Sequence, residues 1–421
     1  MNQRLLQHLL LPARLIPGLL FLFSGLLKAV DPWGSAYKIE DYLMAFGMSG
    51  LDIVSLPLAI SLSVAEMVLG ATLLAGLFLK VIATVTMVLS GFFTLLTLWI
   101  ALTNPVSDCG CFGDAIVLSN WVTFFKNLGL ILFTGLLFIH RRTLDTRRPE
   151  PIDAGWVLLF VLLGLGFSVR NISHLPLFDF RPYHVGADLY GIYFEGREEV
   201  AAVTTTHYIY EKNGERQPFP AESLPDSSWR FVETRTTPGF TPSPDNPLLD
   251  FYIADADGVE KTDSVLNGGY VLLFVAEDLS RISSGYMEEA KSYRDYAEIN
   301  GIDFFLLTSS APNEIRDFSA REEDNFRLLT ADRRTLRTMI RSNPGLILLG
   351  SGVVLNKWHK NDLPRISEFG TNPTADALRK YRAMNARSVM GVLFCCGLLI
   401  GIALAVSRKK RKEHPRHRLF F

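Results

Sequence analysis

Six segments of this 421-residue chain are apolar over lengths that suit a membrane-spanning helix. A helix needs about 20 mostly apolar residues to cross the membrane, because it rises about 1.5 Å per residue through about 30 Å of hydrocarbon. Backbone groups find no water there, so such segments must be helical. The sequence therefore predicts an α-helical integral membrane protein. The predicted spans are Leu15–Val30, Ile53–Leu79, Val81–Leu102, Trp121–Ile139, Gly155–Val169 and Ser388–Val406.

Basic residues predict the direction in which these helices run. Lys and Arg collect in cytoplasmic loops, and with six crossings the basic clusters all fall on one side. Those clusters are Arg4 with Arg14, Lys80, Arg141–Arg148 and Arg408–Lys412. The first span lacks a small-x-small cleavage pattern at its end, so we expect it to stay uncleaved. We therefore expect a multi-pass protein of the cell inner (cytoplasmic) membrane, with both termini cytoplasmic and the large hydrophilic domain periplasmic.

The composition becomes charged and mixed between the fifth and sixth spans. Tyr190–Phe194 and Thr206–Tyr210 predict short strands, whereas the proline-rich stretch Pro218–Pro247 predicts a loop. Strands and helices alternate after that stretch, which favours an α/β layer arrangement. The predicted strands are Tyr270–Val275, Ile302–Thr308 and Leu346–Leu349, and the predicted helices are Ser284–Asn300 and Thr335–Ser342.

Cys109 and Cys111 form the sharpest motif, Asp108-Cys-Gly-Cys-Phe-Gly-Asp114, on the predicted outer side between spans three and four. Disulfides persist in oxidising compartments, and one intervening glycine lets two cysteines close a small ring. Strain in such a ring makes its disulfide easy to reduce, as in catalytic disulfides. We therefore predict a redox pair. A structural turn and a metal site are the alternatives, but zinc needs further ligands and no histidine lies in this segment.

Glu66 lies near the middle of the second span. An unpaired charge at that depth costs on the order of 3 kcal/mol, so a partner, water or a proton is expected. We predict an interior functional role for this acid, with helix packing as the alternative. Lys28 and Lys126 are candidate partners, although pairing with Lys126 would need helix tilt or a bridging water, and we expect both lysines to extend their amines outward to the membrane surface. Cys395 and Cys396, in the last span, predict helix packing, with lipidation as the alternative.

The first 140 residues resemble the MauE and DoxX group of small membrane proteins, and MauE most closely. The resemblance rests on Ser24-Gly25-Leu-Leu-Lys28 followed by Asp31-Pro32, on Glu66, and on Cys109-Gly-Cys-Phe-Gly113. It implies a unit of four membrane helices. It also implies a part in protein maturation, because MauE is associated with maturing methylamine dehydrogenase, a disulfide-rich enzyme outside the inner membrane, beside a thioredoxin-like partner.

Residues Pro247–Ile366 resemble a thioredoxin-like domain, of the kind found in thiol-disulfide and peroxiredoxin-related proteins. The resemblance rests on the order of elements and on Pro344, which precedes a strand where that fold carries a cis-proline. The place of the Cys-x-x-Cys motif holds Ala276-Glu-Asp-Leu-Ser-Arg281, and no cysteine occurs between Cys111 and Cys395. A thiol must be present before it can exchange, so docking is the expected work of this domain.

These inferences together give the predicted domain organisation. It consists of a four-helix MauE/DoxX-like membrane domain (1–140), a cytoplasmic basic loop (141–154), a fifth transmembrane helix (155–170), a β-rich extracytoplasmic segment (171–246), a thioredoxin-like domain (247–387), a sixth transmembrane helix (388–406) and a basic cytoplasmic tail (407–421).

Three functions fit this organisation. The leading hypothesis is a component of periplasmic thiol-disulfide exchange or protein maturation, in which Cys109 and Cys111 cycle and the outer domain docks a periplasmic client or redox protein. A non-catalytic membrane scaffold is the second hypothesis. The third is a protein that works with a quinone or a small solute through Glu66, and a quinone is the cofactor candidate. The lipid bilayer is an expected partner, and the formal net charge of −1 gives no indication of nucleic acid binding.

Overall fold

The computed structural model describes most of the chain as two compact units, Met1–Arg181 with Lys380–Phe421, and Pro182–Arg379. The described residues are 3–106, 108–144, 151–194, 204–212, 215–220, 223–226, 228–238, 251–255, 258–321 and 326–369, with the single positions 248, 375, 382, 386, 389, 391, 393, 397 and 401.

The first unit is helical. Its main helices are α1 Gln3–Val30, α2 Pro32–Ala45, α3 Ser55–Ala75, α4 Leu79–Thr103, α5 Asn120–Ile139 and α6 Pro151–Ser173. Within the part of the chain that the structure describes, five helical segments are long and apolar enough to cross a membrane, and they lie at His8–Val30, Gly50–Ala75, Leu79–Thr103, Asn120–Ile139 and Pro151–Ser173. The first five predicted spans are thus confirmed as helices. The sixth predicted span, which contains Cys395 and Cys396, lies largely outside the described residues.

Helix α2 lies between the first two predicted spans, in a segment for which no helix was predicted. Asp31 caps its first turn, because a carboxylate oxygen accepts a hydrogen bond of 2.9 Å from Gly34 N, and Pro32 stands at the first helical position. Both are ordinary signals of a helix start. The helix contributes side chains to the candidate site described below.

Helices α1 and α3 pack backbone against backbone through two glycines. A Cβ at Gly25 would lie 2.5 Å from Met67 N and 2.6 Å from Ser63 O, and a Cβ at Gly70 would collide with Leu22 N. Small residues permit this approach between membrane helices, where larger side chains would push the helices apart. The close packing brings polar residues of α1 level with polar residues of α3.

A three-stranded antiparallel sheet lies in the second unit, with strands β1 Thr204–Lys212, β2 Glu215–Pro220 and β3 Arg230–Pro238 in the order β2-β1-β3. The loop predicted for Pro218–Pro247 is therefore wrong for residues 218–220 and 230–238, which belong to strands, whereas residues 223–226 and 228–229 lie outside any strand, as predicted. Prolines 218 and 220 lie on an edge strand, where a missing N–H is tolerated. Residues 239–247 lie outside the described residues.

The strand predicted for Tyr190–Phe194 is also wrong, since residues 189–194 are helical. Asp188 accepts a hydrogen bond of 2.9 Å from Gly191 N at the start of this helix. Its aromatic residues recur with a spacing of three and four, and the Tyr190 and Phe194 rings lie 4.4 Å apart. That spacing matches one face of a helix rather than the alternation of a strand.

A six-stranded mixed sheet forms the main body of the second unit. Its strands are β4 Ile253–Asp255, β5 Tyr270–Ala276, β6 Asp303–Thr308, β7 Leu328–Ala331, β8 Gly345–Gly350 and β9 Val353–His359, in the order β4-β7-β6-β5-β8-β9. Strands β5, β6 and β7 are parallel, and β8 and β9 are added antiparallel. The helices are α7 Thr262–Leu266, α8 Ser284–Ile299, α9 Pro312–Arg321 and α10 Arg333–Met339.

This sheet has the thioredoxin-like arrangement that the sequence predicted. A βαβ unit of β5, α8 and β6 is followed by the antiparallel hairpin β8–β9, and the core between α8 and the sheet contains Phe274, Tyr293, Leu306 and Leu348. The Asn343–Pro344 peptide bond is cis and stands immediately before β8, as the resemblance implied. The α/β architecture of this domain is thus confirmed.

Candidate functional site

A buried ion pair joins α1 to α3 inside the first unit. Lys28 Nζ donates hydrogen bonds to both carboxylate oxygens of Glu66, at 2.8 Å and 2.6 Å. Lys28 is 6% exposed and Glu66 is 2% exposed. The four-residue spacing between Ser24 and Lys28 places both on the same face of α1, toward α3. Each buried charge thus has an opposite charge as its partner, and removal of either would leave the other unpaired in an apolar bundle.

The hydroxyl of Ser24 connects this ion pair to the cysteine loop. Ser24 Oγ accepts a hydrogen bond of 2.8 Å from Lys28 Nζ, and it lies 2.7 Å from Glu66 Oε2 and 2.7 Å from the carbonyl oxygen of Cys111. Its single proton is donated to one of those two oxygens. The predicted site residues Glu66 and Cys111, which the sequence analysis assigned to different hypotheses, therefore belong to one cluster.

Helix α2 holds the other end of the cysteine loop. The Tyr42 hydroxyl donates a hydrogen bond of 2.8 Å to the carbonyl oxygen of Cys109, and Lys38 Nζ pairs with Asp108 Oδ2 at 2.5 Å. The other oxygen of Asp108 accepts a hydrogen bond of 2.9 Å from Gly110 N. Gly110 has a φ of +65°, which a glycine adopts without cost. The loop is thus pinned by contacts from both α1 and α2.

The two thiols face each other within this pinned loop. Cys109 Sγ and Cys111 Sγ lie 2.8 Å apart, and both cysteines are half-buried and free. A disulfide requires about 2.05 Å between the sulfurs, so the two sulfurs would have to approach by about 0.75 Å to form one. The separation is therefore close to that of a disulfide.

The surroundings shift the pKa values of the two thiols in opposite directions. The hydrogen bond from the Cys109 thiol lowers the pKa of Cys111 to about 6, against the effect of burial, and the ammonium groups of Lys126 and Lys28 act in the same direction. That same hydrogen bond to Cys111 raises the pKa of Cys109, together with burial. The Tyr42 phenol, which is held to the loop, also has a raised pKa, mainly because it is buried. Cys111 is therefore the thiolate of the reduced pair at neutral pH.

The lowered pKa of Cys111 predicts how its alkylation depends on pH. The pKa of Cys111 is lowered to about 6, so its rate of reaction with iodoacetamide should approach a plateau by pH 7 and fall as the pH drops through 6. An ordinary thiol has a pKa of about 8.5. Mass spectrometry of the alkylated protein at a series of pH values measures the midpoint. A Cys109→Ala variant should move the midpoint upward, since it removes the hydrogen bond; an unchanged midpoint in that variant would contradict this assignment.

The outward orientation expected for the two lysines is wrong for Lys28, whereas no contact among the described residues contradicts it for Lys126. Lys28 is buried in its pair with Glu66, and the Lys126 ammonium lies 4.4 Å from the centre of the Phe112 ring. The close approach of α1 and α3 supplies Lys28 with a carboxylate at its own level, which removes the reason to extend toward water. Phe112 is buried beside the cysteines and gives Lys126 a cation–π contact.

An apolar cavity of about 480 Å³ adjoins the thiols. Helices α1 to α5 line its walls with side chains such as Phe21, Leu43, Leu62, Phe93 and Leu96. Its polar groups belong mostly to the cluster just described, and they comprise Ser24, Lys28, Ser35, Lys38, Tyr42, Glu66, Cys109, Cys111, Lys126 and Asn127. Ser35, Lys38 and Tyr42 were not predicted as site residues, because the helix that carries them, α2, was not predicted. Ser24 was named only as part of the family-like segment and was given no role.

The second unit holds an ion pair where a thioredoxin-like redox motif would begin. Glu277 follows β5, and its carboxylate lies 2.9 Å from Arg337 Nη2 and 3.4 Å from Arg333 Nε. Its backbone N–H donates a hydrogen bond of 3.1 Å to the Asn343 side chain, next to the cis-proline. This corner of the fold is thus held by charges and hydrogen bonds, and it offers a polar surface without a thiol.

The first unit contains a match to a known protein family. Residues 6–140 match the family model of Methylamine utilisation protein MauE. This MauE-like domain is about a third of the chain, and it contains the cysteine loop, Glu66 and every helix that lines the cavity. Its apolar helices make the lipid bilayer its environment.

Other comparisons concern the second unit. Residues 204–238, which contain β1 to β3, match a family described as Domain of unknown function (DUF8463). The crystal structure of yeast Sco1 aligns over 31% of this chain and 92% of Sco1, with a TM-score of 0.24 and 14% sequence identity. No curated protein matches the chain in sequence. A MauE-like membrane domain combined with a thioredoxin-like domain fits a redox or maturation role.

Proposed function

We propose that the chain oxidises thiols of an extracytoplasmic client protein through a Cys109–Cys111 disulfide, with the thioredoxin-like domain serving to dock that client. The observation that carries this proposal is the 2.8 Å separation of the two sulfurs in a loop pinned from both sides. A pinned loop holds the pair ready for bond formation in either direction.

The unequal thiols support the oxidising direction. Charges and a hydrogen bond that stabilise the Cys111 thiolate stabilise the reduced form, and a stabilised reduced form makes the disulfide the stronger oxidant. A client thiolate attacks Cys109 Sγ, and Cys111 leaves because the sulfur of lower pKa is the better leaving group. The second client thiol then displaces Cys109. The client gains one disulfide, and the pair gains the two electrons and two protons.

Helix count supports the placement of this chemistry outside the cytoplasm. The cysteine loop follows the third apolar helix, and the second unit follows the fifth, so an even number of crossings separates them. Arg141 and Arg142 follow the fourth, and basic residues at a helix end favour the cytoplasmic side. Since residues 112–394 contain no cysteine, the second unit itself cannot exchange thiols. The proposal therefore assigns it docking, and a scaffold without thiol chemistry is the alternative.

The redox state of the pair in intact cells tests the proposal. In a Cys395→Ser/Cys396→Ser background, acid quenching followed by a thiol-reactive mass tag should find Cys109 and Cys111 oxidised in a substantial fraction of molecules. Brief reduction should remove that fraction, and it should return when the reductant is washed out. A chain that lacks residues 186–385 should keep an oxidised pair and exchange more slowly with its client. A pair that is always reduced in cells would rule the proposal out and leave the scaffold.

A further inference from the structure

The phenol of Tyr42 lies beside Cys109. Lys38 and Tyr42 are four residues apart on α2, so both lie on the face of this helix that meets the cysteine loop. The Tyr42 hydroxyl is 2.8 Å from the Cys109 carbonyl oxygen, and it is also within hydrogen-bonding reach of the Cys109 side chain. Rotation about its C–O bond therefore directs its single proton either to the carbonyl oxygen or to the sulfur.

The proposed exchange contains one step that the low pKa of Cys111 does not assist. Client attack on Cys109 releases Cys111, which leaves easily because its pKa is lowered. To complete the client disulfide, Cys109 must then leave from the mixed disulfide, although its contact with Cys111 and burial raise its pKa. A sulfur of high pKa is a poor leaving group. This second step therefore needs a group that stabilises the Cys109 thiolate as it forms.

Tyr42 can supply that stabilisation and Cys111 cannot. Cys111 has already left as a thiolate, so it has no proton to donate, and its negative charge opposes a second thiolate beside it. The Tyr42 hydroxyl keeps its proton at neutral pH, since burial raises its pKa. Its hydrogen bond to the Cys109 side chain acts to lower the pKa of Cys109. Tyr42 thus remains a hydrogen-bond donor throughout the exchange.

We propose that Tyr42 is a catalytic residue whose hydroxyl donates a hydrogen bond to the Cys109 sulfur as this sulfur leaves the mixed disulfide; the role rests on the function proposed above. In this step the second client thiolate attacks the client sulfur. A new S–S bond forms within the client, the bond between the client and Cys109 breaks, and its electron pair stays on Cys109. Water takes the proton of the second client thiol and returns one to Cys109, so Tyr42 keeps its own.

The same hydrogen bond favours product formation over the return reaction. In the return reaction the Cys111 thiolate attacks Cys109 and the client sulfur leaves, so a donor at Cys109 does not stabilise the leaving group. Donation to Cys109 accelerates only the step in which Cys109 itself leaves. Tyr42 therefore directs the mixed disulfide toward an oxidised client.

Release of Cys109 from a mixed disulfide with glutathione tests this role. In the full-length Cys111→Ser/Cys395→Ser/Cys396→Ser protein in detergent, Cys109 is the only cysteine. Oxidised glutathione forms the mixed disulfide, and excess reduced glutathione is then added. Attack on the Cys109 sulfur regenerates the same adduct, so loss of bound glutathione in the mass spectrum reports only the departure of Cys109. Tyr42→Phe should slow that loss about tenfold.

Two further variants of α2 separate hydrogen-bond donation from support of the loop. Tyr37→Phe removes a phenol hydroxyl from a ring that stacks on Trp33 and does not line the cavity beside the cysteines, so release should proceed at the parent rate. Lys38→Met breaks the ion pair with Asp108, the other contact of α2 with the loop, and leaves the phenol in place. It should slow release much less than Tyr42→Phe; equal slowing would show that the phenol only pins the loop and would overturn the proposal.

The pKa of Cys109 moves in opposite directions for the two roles. A hydrogen bond to a thiolate lowers its pKa, so Tyr42→Phe should raise the midpoint of Cys109 alkylation in the same single-cysteine protein. A loosened loop would instead expose Cys109 and lower the midpoint, because burial raises this pKa. A lowered midpoint would therefore overturn the proposal.

These assays also separate the role of Tyr42 from the proposed function. An unchanged release rate in Tyr42→Phe, combined with oxidation of a dithiol peptide by the wild-type protein, overturns the role of Tyr42 and leaves thiol exchange intact. Slowed release with a raised midpoint, combined with a pair that is always reduced in cells, supports the action of Tyr42 at Cys109 and overturns the proposed function.

Discussion

Replacing Cys111 or Cys109 with serine is expected to reduce oxidation of a dithiol client to the background rate, with each single variant as inactive as the double variant. The sulfurs lie 2.8 Å apart and act as one unit, so neither can store two electrons without the other. Residues that act together in this way give losses that do not add. The measurement is the rate at which the purified full-length protein forms disulfides in a reduced peptide.

The two single variants should nevertheless differ in what they accumulate. Client thiolate attack is expected at Cys109, because Cys111 has the lower pKa and is the better leaving group. A Cys111→Ser chain retains the sulfur that carries the mixed disulfide. Its Cys109 thiolate should attack the disulfide of an oxidised client, release one client thiol and accumulate a mixed disulfide that is visible on a non-reducing gel. A Cys109→Ser chain should accumulate much less. The Cys395→Ser/Cys396→Ser chain is the matched control and should match wild type in both assays.

Equal adducts from the two variants would contradict the proposed roles of the thiols, although not the need for both. Full activity in either single variant would contradict the redox pair itself. The loop would then be a structural turn, which is the alternative that the Cys-Gly-Cys spacing left open. The observed contacts of the loop with Ser24 and Tyr42 would in that case serve only to close the outer end of the bundle.

The helices were predictable because length and apolarity alone decide what can cross a membrane. The thioredoxin-like sheet was predictable for a similar reason, since its buried strands are short continuous apolar runs between turn signals. The error at Tyr190–Phe194 came from counting aromatic residues as strand formers. Their spacing of three and four, and Asp188 before them, were the local signals for a helix.

The candidate site was predicted only in parts. Cys109, Cys111 and Glu66 were each singled out, but the Ser24 bridge between them depends on how closely α1 and α3 approach. Gly25 and Gly70 allow that close approach, but the sequence does not show which helix each glycine faces.

The error at Lys28 came from considering only its distance to water. Its partner is set by tertiary packing, which overrides the preference of a lysine for the surface.

The buried Lys28–Glu66 pair predicts a large, strongly non-additive effect on stability. Lys28→Met and Glu66→Gln each leave one buried group without its partner, and each is expected to destabilise the protein by about 3–5 kcal/mol. The double variant Lys28→Met/Glu66→Gln leaves no charge stranded and should recover most of that loss, to within about 1 kcal/mol of wild type. Equilibrium unfolding in mixed micelles of a mild detergent and sodium dodecyl sulfate measures these differences.

Matched controls separate the pair from the general effect of removing a charge. Lys80→Met removes an exposed lysine at the start of α4, and Asp52→Asn removes the charge of an exposed carboxylate just before α3. Both should lie within about 0.5 kcal/mol of wild type. Single variants that resemble these controls, or a double variant whose loss is the sum of the two single losses, would show that the pair does not hold α1 and α3 together.

The same three variants connect the ion pair to the thiols. Lys28 lowers the pKa of Cys111 and Glu66 raises it. The midpoint of Cys111 alkylation should therefore rise in Lys28→Met, fall in Glu66→Gln and return toward the wild-type value in the double variant. Because the direction of each shift follows from charge rather than from folding, a shared loss of stability cannot produce this pattern. Midpoints that move together in both single variants would mean that the ion pair supports the loop mechanically and does not set the reactivity of Cys111.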